Sequence, residues 1–365
     1  MKVLYVIDHL GGGGAEQQFV NIANNIKAEK LVFLAEKGGV REEELDKKIP
    51  VKGKYAKRRP LRSICQLKSL VDAYRPDILH ACLMYSSLVA AMGLRLSKHK
   101  PVFIAQEFSS PAEILKEVSF TGFKKILLKS AYKKADAVLT VSEAIAREIF
   151  TAGFVKDPAK VKYIHDGLDL NKYALLPNKE TLRQKLSLLA GPFYICFVGS
   201  LVERKGVQHL IRAFKDIGAE RARLLIIGEG PFGEELRNMA EDDGRIEFPG
   251  YRKNAVEYIK ASDIFVLPSV YEGLPNVIIE AMAVGTPVLS TTVSGIPELI
   301  EHDVNGYLVP PGDEEALKKA LTELMENSAL RNRYIGESLE KVQHFSLERM
   351  IGDYERLYLQ LRAET

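Results

Sequence analysis

Glu272 and Glu280 stand eight positions apart in the stretch Tyr271-Glu272-Gly273-Leu274-Pro275-Asn276-Val277-Ile278-Ile279-Glu280, which continues to Gly285-Thr286-Pro287. Gly273 and Pro275 mark a helix start, and Gly285 and Pro287 its end. With Pro275 as the first helical residue, Glu280 lies roughly 7 Å along the axis at about 1.5 Å per residue. That is the separation of a diphosphate from a ribose. A phosphate on the free N–H groups of the helix start would leave Glu280 to accept hydrogen bonds from ribose hydroxyls and Glu272 to reach the other way, towards a sugar. Glutamate pairs at this spacing are mostly just solvated. Glu280, however, is bracketed by Ile278, Ile279, Ala281 and Met282, and a carboxylate in an apolar helix needs a partner.

Arg204 and Lys205, in Glu203-Arg204-Lys205-Gly206, precede the helical pattern Val207 to Ile217. Two cations at a helix N-terminus oppose the macrodipole, so a compensating anion is expected. Arg204 and Lys205 therefore read as a clamp for the charge that grows on a departing diphosphate, against the plainer reading of two solvated cations. Gly11-Gly12-Gly13-Gly14 follows the first strand-like run, where Gly13 and Gly14 let backbone approach a ligand at a helix start. Gly11-x-Gly13 and Glu36 partly mimic a dinucleotide fingerprint, but its third glycine would fall at Glu16. Gly228-Glu229-Gly230-Pro231 and Gly250-Tyr251-Arg252-Lys253 end two further strands, where a base could stack or hydrogen-bond; each is otherwise only a turn.

The chain contains no HExxH, HxE…CxxC, strict DxD or GxSxG. No metal and no cofactor are expected, and phosphate charge falls to Arg204, Lys205 and helix dipoles. Cys65, Cys82 and Cys196 are far apart, which argues against a disulfide framework and suits a reducing compartment. Residues 1–190 carry a net charge of +12 and residues 191–365 one of −9, together +3. The basic half is a candidate for an anionic surface or acceptor. Nucleic acid is not expected, since Trp is absent and arginines are not interleaved with aromatics. No apolar run approaches a membrane span, and the expected place is the cytoplasm, or the periphery of a membrane at its inner face. The basic, amphipathic run Phe120 to Lys134 and the cations from Lys52 to Arg62 suit such a surface.

The elements that must position these groups alternate strand and helix. Strands are expected at Val3 to Ile7, Lys30 to Ala35, Asp77 to Leu79, Val102 to Ala105, Ala137 to Val141 and Val161 to Ile164. After the polar stretch Pro177 to Arg183 the pattern restarts, at Tyr194 to Val198, Arg223 to Ile227, Arg245 to Phe248, Ile264 to Leu267 and Pro287 to Ser290. With 365 residues, 46% of them hydrophobic, this predicts two α/β domains with parallel sheets. Ligands in such sheets bind at strand carboxyl ends, where Asp8, His9, His80, Gln106, Glu107, Ser142, His165 and Asp166 are expected to gather. The last helical segment, Leu347 to Leu361, has no side assigned by pattern.

The Gly-Gly-Ala-Glu loop, Val141-Ser142, His165-Asp166-Gly167-Leu168-Asp169, Gly199 through Arg204-Lys205-Gly206, Gly228-Glu229-Gly230-Pro231 and Glu272-x7-Glu280 together resemble the family-4 retaining glycosyltransferases of GT-B fold. The resemblance implies two Rossmann-like domains facing across a cleft. The first, 1–172, would bind the acceptor and be completed by a final helix over 346–365. The second, 173–345, would bind a nucleotide-sugar donor. It further implies metal-independent transfer with retention of a hexose or N-acetylhexosamine, from a UDP- more than a GDP-sugar, to a saccharide or lipid-linked acceptor.

Among site residues, the resemblance gives Arg204 and Lys205 the diphosphate, Glu280 the ribose and Glu272 the sugar. Gly199, Glu229, Tyr251, Lys253 and the stretch Gly273, Leu274, Pro275, Asn276 and Val277 would line the donor, with Gly13 and Gly14 closing over it. His80, Glu107 and His165 fall on the acceptor side. Two positions depart from the family: Gln106-Glu107 stands where many relatives have a histidine, and Asp166 where the motif has Asn. The contrasting readings are a sugar-nucleotide epimerase and a non-catalytic nucleotide-sugar binder.

Overall fold

The computed structural model describes residues 1–36, 38–53, 59–116 and 121–364. The chain divides into two compact units, Met1–Gly167 with Leu347–Thr365, and Leu168–Ser346. The division falls at 167/168, a few residues before the expected 172/173.

In the first unit β1 (Lys2–Ile7), β2 (Glu29–Leu34), β3 (Val51–Gly53), β4 (Ile78–Cys82), β5 (Val102–Glu107), β6 (Ala137–Thr140) and β7 (Val161–Tyr163) form one parallel sheet. Its order is β3-β2-β1-β4-β5-β6-β7. β4 and β5 are buried along their whole length. This is why they read as near-continuous apolar runs, as strands covered on both faces do. β3 has only Val51 to signal it and was not expected.

The final helix, Leu347–Ala363, belongs to this unit. Met350, Tyr354, Leu357, Tyr358 and Leu361 are buried on it, at the spacing of a single helical face. Its tyrosines meet the polar interior of the sheet: the Gln106 Nε2–H donates to the Tyr354 hydroxyl at 2.6 Å, and the Tyr358 hydroxyl lies 2.6 Å from His80 Nδ1. At its end Arg362 reaches Asp77 at 3.2 Å.

In the second unit β8 (Phe193–Val198), β9 (Ala222–Ile227), β10 (Ile246–Gly250), β11 (Ile264–Leu267), β12 (Val288–Thr291) and β13 (Tyr307–Val309) run parallel in the order β10-β9-β8-β11-β12-β13. β8 and β11 are neighbours although the chain reverses its sideways progress between them. Their carboxyl ends therefore open at the switch point, the place where such sheets bind ligands. The loop after β8 carries Arg204 and Lys205, and the loop after β11 carries Glu272. Among the described residues no helix is long and apolar enough to cross a membrane.

Candidate donor site and its family

Glycines bring the β8 and β11 loops into backbone contact. Gly206 has φ 69°, and a Cβ there would lie 2.0 Å from the Pro268 carbonyl oxygen; only glycine combines that conformation with that approach. Next to it the Val270 N–H donates to the Arg204 carbonyl at 2.8 Å. Gly228, at φ 142°, packs as closely on Gly199, with 1.8 Å from a would-be Cβ to the Gly199 oxygen.

The side chains then meet. Lys205 Nζ lies 2.5 Å from Glu272 Oε1, and Arg204 stands 3.9 Å from Oε2. Arg204 also donates to the Tyr271 carbonyl at 3.4 Å. The Ser269 hydroxyl donates to Glu272 Oε1 at 2.6 Å, while the Thr291 hydroxyl fixes the Ser269 carbonyl at 2.6 Å. Side-chain exposure is 7% for Glu272 and 13% for Lys205, against 41% for Arg204. The cations sit on the turn Glu203–Lys205, separated from the helix Val207–Lys215 by Gly206. Glu272 is the carboxylate beside them and offsets one of the two charges. The three groups sum to one positive charge, the buried part self-paired and Arg204 turned outward.

The helix after β11 runs Asn276–Ala283 with Pro275 as its N-cap, one residue later than the expected start. Glu280 is on its second turn, half-buried, and its Oε1 accepts from the Tyr173 hydroxyl at 3.2 Å. Leu274 is buried, and the Gly273 carbonyl accepts from the Gly295 N–H at 3.2 Å. Asn276 and Val277 are half-buried at the helix start. Glu229 and Lys253 are exposed, as is Tyr251, whose N–H reaches Glu229 Oε1 at 3.4 Å. Tyr173 was not anticipated: it lies 107 positions from its partner, and no local pattern marks it.

The first unit holds the remaining residues. Gly13 caps the helix Gly14–Asn25, and a Cβ on it would lie 2.4 Å from Glu16 Oε2. Asp8 Oδ1 accepts from the Ser86 N–H at 2.8 Å and hydroxyl at 2.5 Å. His165 is half-buried, its ring against Tyr163. Asp166 is buried, which pushes its carboxyl well above the usual range.

His80 requires correction as an acceptor-side residue. β4 extends to Cys82, so His80 lies inside the strand rather than at its end, fully buried. Burial holds its imidazole down to about 3, hence neutral. It is a core group facing the final helix and has no surface for a substrate.

Glu107 does end its strand, 1% exposed, and accepts from the Tyr132 hydroxyl at 2.9 Å. Burial lifts its carboxyl from 4.5 to about 8; the Tyr132 hydroxyl opposes this and the Asp8 charge adds to it. In the basic helix Thr121–Lys134, Phe123 and Ile126 are exposed at 65% and 67%. Phe120, and residues 54–58 of the other basic stretch, lie outside the described residues.

Residues 12–172 match the family model described as Glycosyltransferase Family 4, and residues 192–327 that described as Glycosyl transferases group 1. Together they take in most of the chain, which belongs to the family-4 glycosyltransferases. An uncharacterized glycosyltransferase of Methanocaldococcus jannaschii is 26% identical over 66% of this chain and 62% of its own length. The UDP-Gal:alpha-D-GlcNAc-diphosphoundecaprenol alpha-1,3-galactosyltransferase of Escherichia coli is 25% identical over 82% of this chain and 80% of its own. The chain thus spans about three fifths of the first relative. The structure of HepE of Anabaena in complex with UDP superposes with a TM-score of 0.85 over 99% of this chain and 100% of that one, at 23% identity. The fold is GT-B.

The Glu107 shift has a consequence for stability. An unfolded glutamate ionises near 4.5 and the folded one near 8, so between those values the folded chain holds one more proton and stability falls as pH rises. Glu107→Gln should remove that slope, raising the urea midpoint relative to wild type more at about pH 8 than at about pH 5. Equal differences at both pH values would contradict a neutral Glu107.

Proposed function

We propose that this chain transfers a hexose or N-acetylhexosamine, with retention and without a metal, from a nucleoside-diphosphate sugar to a saccharide or lipid-linked acceptor in cell-envelope polysaccharide synthesis. UDP is the favoured carrier, in line with the UDP-Gal donor in the name of the E. coli relative and the UDP bound to HepE. The observation that carries the reading is the convergence at one sheet edge of Arg204, Lys205 and Glu272 with the start of the helix that bears Glu280.

The chemistry follows from the charges. A diphosphate brings more negative charge than the single positive excess of the free cluster. Arg204 would turn to it, and Lys205 would share its three N–H donors between Glu272 and phosphate oxygens. As the bond from the anomeric carbon to phosphate oxygen breaks, its electron pair passes to that oxygen. The two cations and the dipole of the helix Asn276–Ala283 are then worth more than in the ground state. The acceptor hydroxyl bonds the anomeric carbon on the same face, and its proton passes to the leaving phosphate oxygen. Glu272 holds the sugar through Oε2, because Oε1 is already occupied by Lys205 and Ser269. Acceptor recognition falls to the first unit, around the half-buried His165 rather than Glu107, which at 1% exposure is as closed to a substrate as His80.

The lysines beside Phe123 and Ile126 suit an anionic lipid surface near a lipid-linked acceptor. In that case the chain pellets with anionic vesicles and Phe123→Ser with Ile126→Ser weakens it; equal pelleting with neutral vesicles would remove the membrane from the account.

Arg204→Ala should lower turnover about 10²-fold, with retained anomeric configuration in the product and no loss of wild-type activity in EDTA. Near-normal turnover in the variant would remove the clamp, and EDTA inhibition reversed by Mg²⁺ would point to a metal-dependent transferase.

A further inference from the structure

The first unit holds two buried carboxyls that the proposed transfer does not use. Ile7, Cys82 and Gln106 lie in one row across β1, β4 and β5, so the residues that follow bring Asp8 and Glu107 to the same carboxyl edge, with β4 between them. That edge is the switch point of the first sheet, since β1 pairs with both β2 and β4, and such edges take ligands. Asp8 is 6% and Glu107 1% exposed. The helix Met84–Leu96 leaves from β4, and its start is fastened on both sides. The Leu83 N–H donates to the Gln106 carbonyl on β5 at 2.9 Å, while Asp8 Oδ1 accepts from the Ser86 N–H at 2.8 Å and from its hydroxyl at 2.5 Å. Leu83 itself has φ 79° and ψ 157°, a region in which only glycine is at ease. The fastening therefore works against a backbone strain that opening would release.

The titratable groups facing Glu107 are Tyr132 from the helix Thr121–Lys134, whose hydroxyl donates to it at 2.9 Å, Cys82 from β4 and Asp8 from β1. Two carboxyls at one dry edge resist being ionised together, and the Asp8 oxygen that accepts two hydrogen bonds is set for the charged form. The proton accordingly stays on Glu107 while the edge is closed. We propose that Asp8 and Glu107 form a proton-operated latch on the start of the helix Met84–Leu96: with one proton in the pair the helix start stays on the sheet edge, and with none it lifts. Lifting lets water reach Glu107, relaxes Leu83 and deforms the edge, so transfer declines as pH rises. Neither carboxyl touches the reacting atoms; the pair regulates the edge on which they would be held. Lifting also returns Glu107 from about 8, where burial chiefly holds it, to its ordinary 4.5. Opening is thus favoured as pH rises between those values, by up to about tenfold per pH unit, and levels off above them.

Hydrogen exchange read by mass spectrometry tests this on the full chain, at about pH 6 and about pH 8, corrected for the intrinsic exchange rate. The proteins compared are wild type, Glu107→Gln and Asp8→Asn, whose amide oxygens can still accept from Tyr132 and Ser86. In wild type, exchange over residues 83–90 should quicken by more than about tenfold between the two conditions, while β6 keeps its protection. Glu107→Gln should show no such rise, and Asp8→Asn a smaller one. A rise that survives Glu107→Gln, one undiminished in Asp8→Asn, or one shared by the whole first unit would each overturn the latch. Initial rates with a UDP-sugar give a second readout, and this one alone rests on the proposed function. The wild-type rate should fall over the same range and the Glu107→Gln rate should not; a wild-type rate that holds while the helix start opens would overturn the regulatory role.

Discussion

The second unit is organised around a buried ion pair, Lys205 with Glu272, that joins the loops at the carboxyl ends of β8 and β11. Taking both charges out of water is costly, and a pair of this kind seldom adds much net stability. What it secures is placement. The carboxylate is held by Lys205 at 2.5 Å and by Ser269 at 2.6 Å, and Ser269 is itself tied to β12 through Thr291. Removing either partner would leave an uncompensated charge at a nearly dry position. The sequence is therefore constrained at several positions at once, including Gly206, where the loops touch backbone to backbone.

The same constraint shapes the chemistry. Pairing with Glu272 holds the Lys205 ammonium at one place on the sheet edge, so that a diphosphate docking there would meet a cation already in position. Preorganised charge is what lowers a barrier in which negative charge develops. Of the two cations in the proposed clamp, Arg204 is the exposed one at 41% side-chain exposure and Lys205 the buried one at 13%. Glu280, on the second turn of the next helix, accepts a hydrogen bond from the buried Tyr173 hydroxyl at 3.2 Å.

Much of this was legible before any coordinates. The strand–helix alternation and the restart after Arg183 are carried by burial on both sheet faces, which leaves long apolar runs. Glu272 and Glu280 stood out because one is flanked by turn formers and the other by apolar neighbours. What failed did so for local reasons. β3 and β13 are three-residue edge strands: β3 has a single apolar residue, and β13, Tyr307-Leu308-Val309, is apolar but too short to show a period. The apolar run stops at Leu79, which puts His80 at a strand end by pattern, yet β4 continues through His80 to Cys82. The polar groups it needs come from the final helix, far along the chain. Tyr173 could not be read because a hydrogen bond across 107 positions has no periodicity. An anion is expected beside Arg204 and Lys205, and Glu272 supplies one from within the chain, although the two cations sit on a turn ahead of the helix rather than on its first turn.

The central claim is that a diphosphate docks against Arg204 and Lys205 at the start of the helix Asn276–Ala283. A crystal structure of the chain with UDP tests it most directly. Phosphate oxygens should lie within hydrogen-bond distance of both cations, with Lys205 still touching Glu272 and the ribose hydroxyls on Glu280. UDP bound elsewhere, with Lys205 paired only to Glu272, would contradict it.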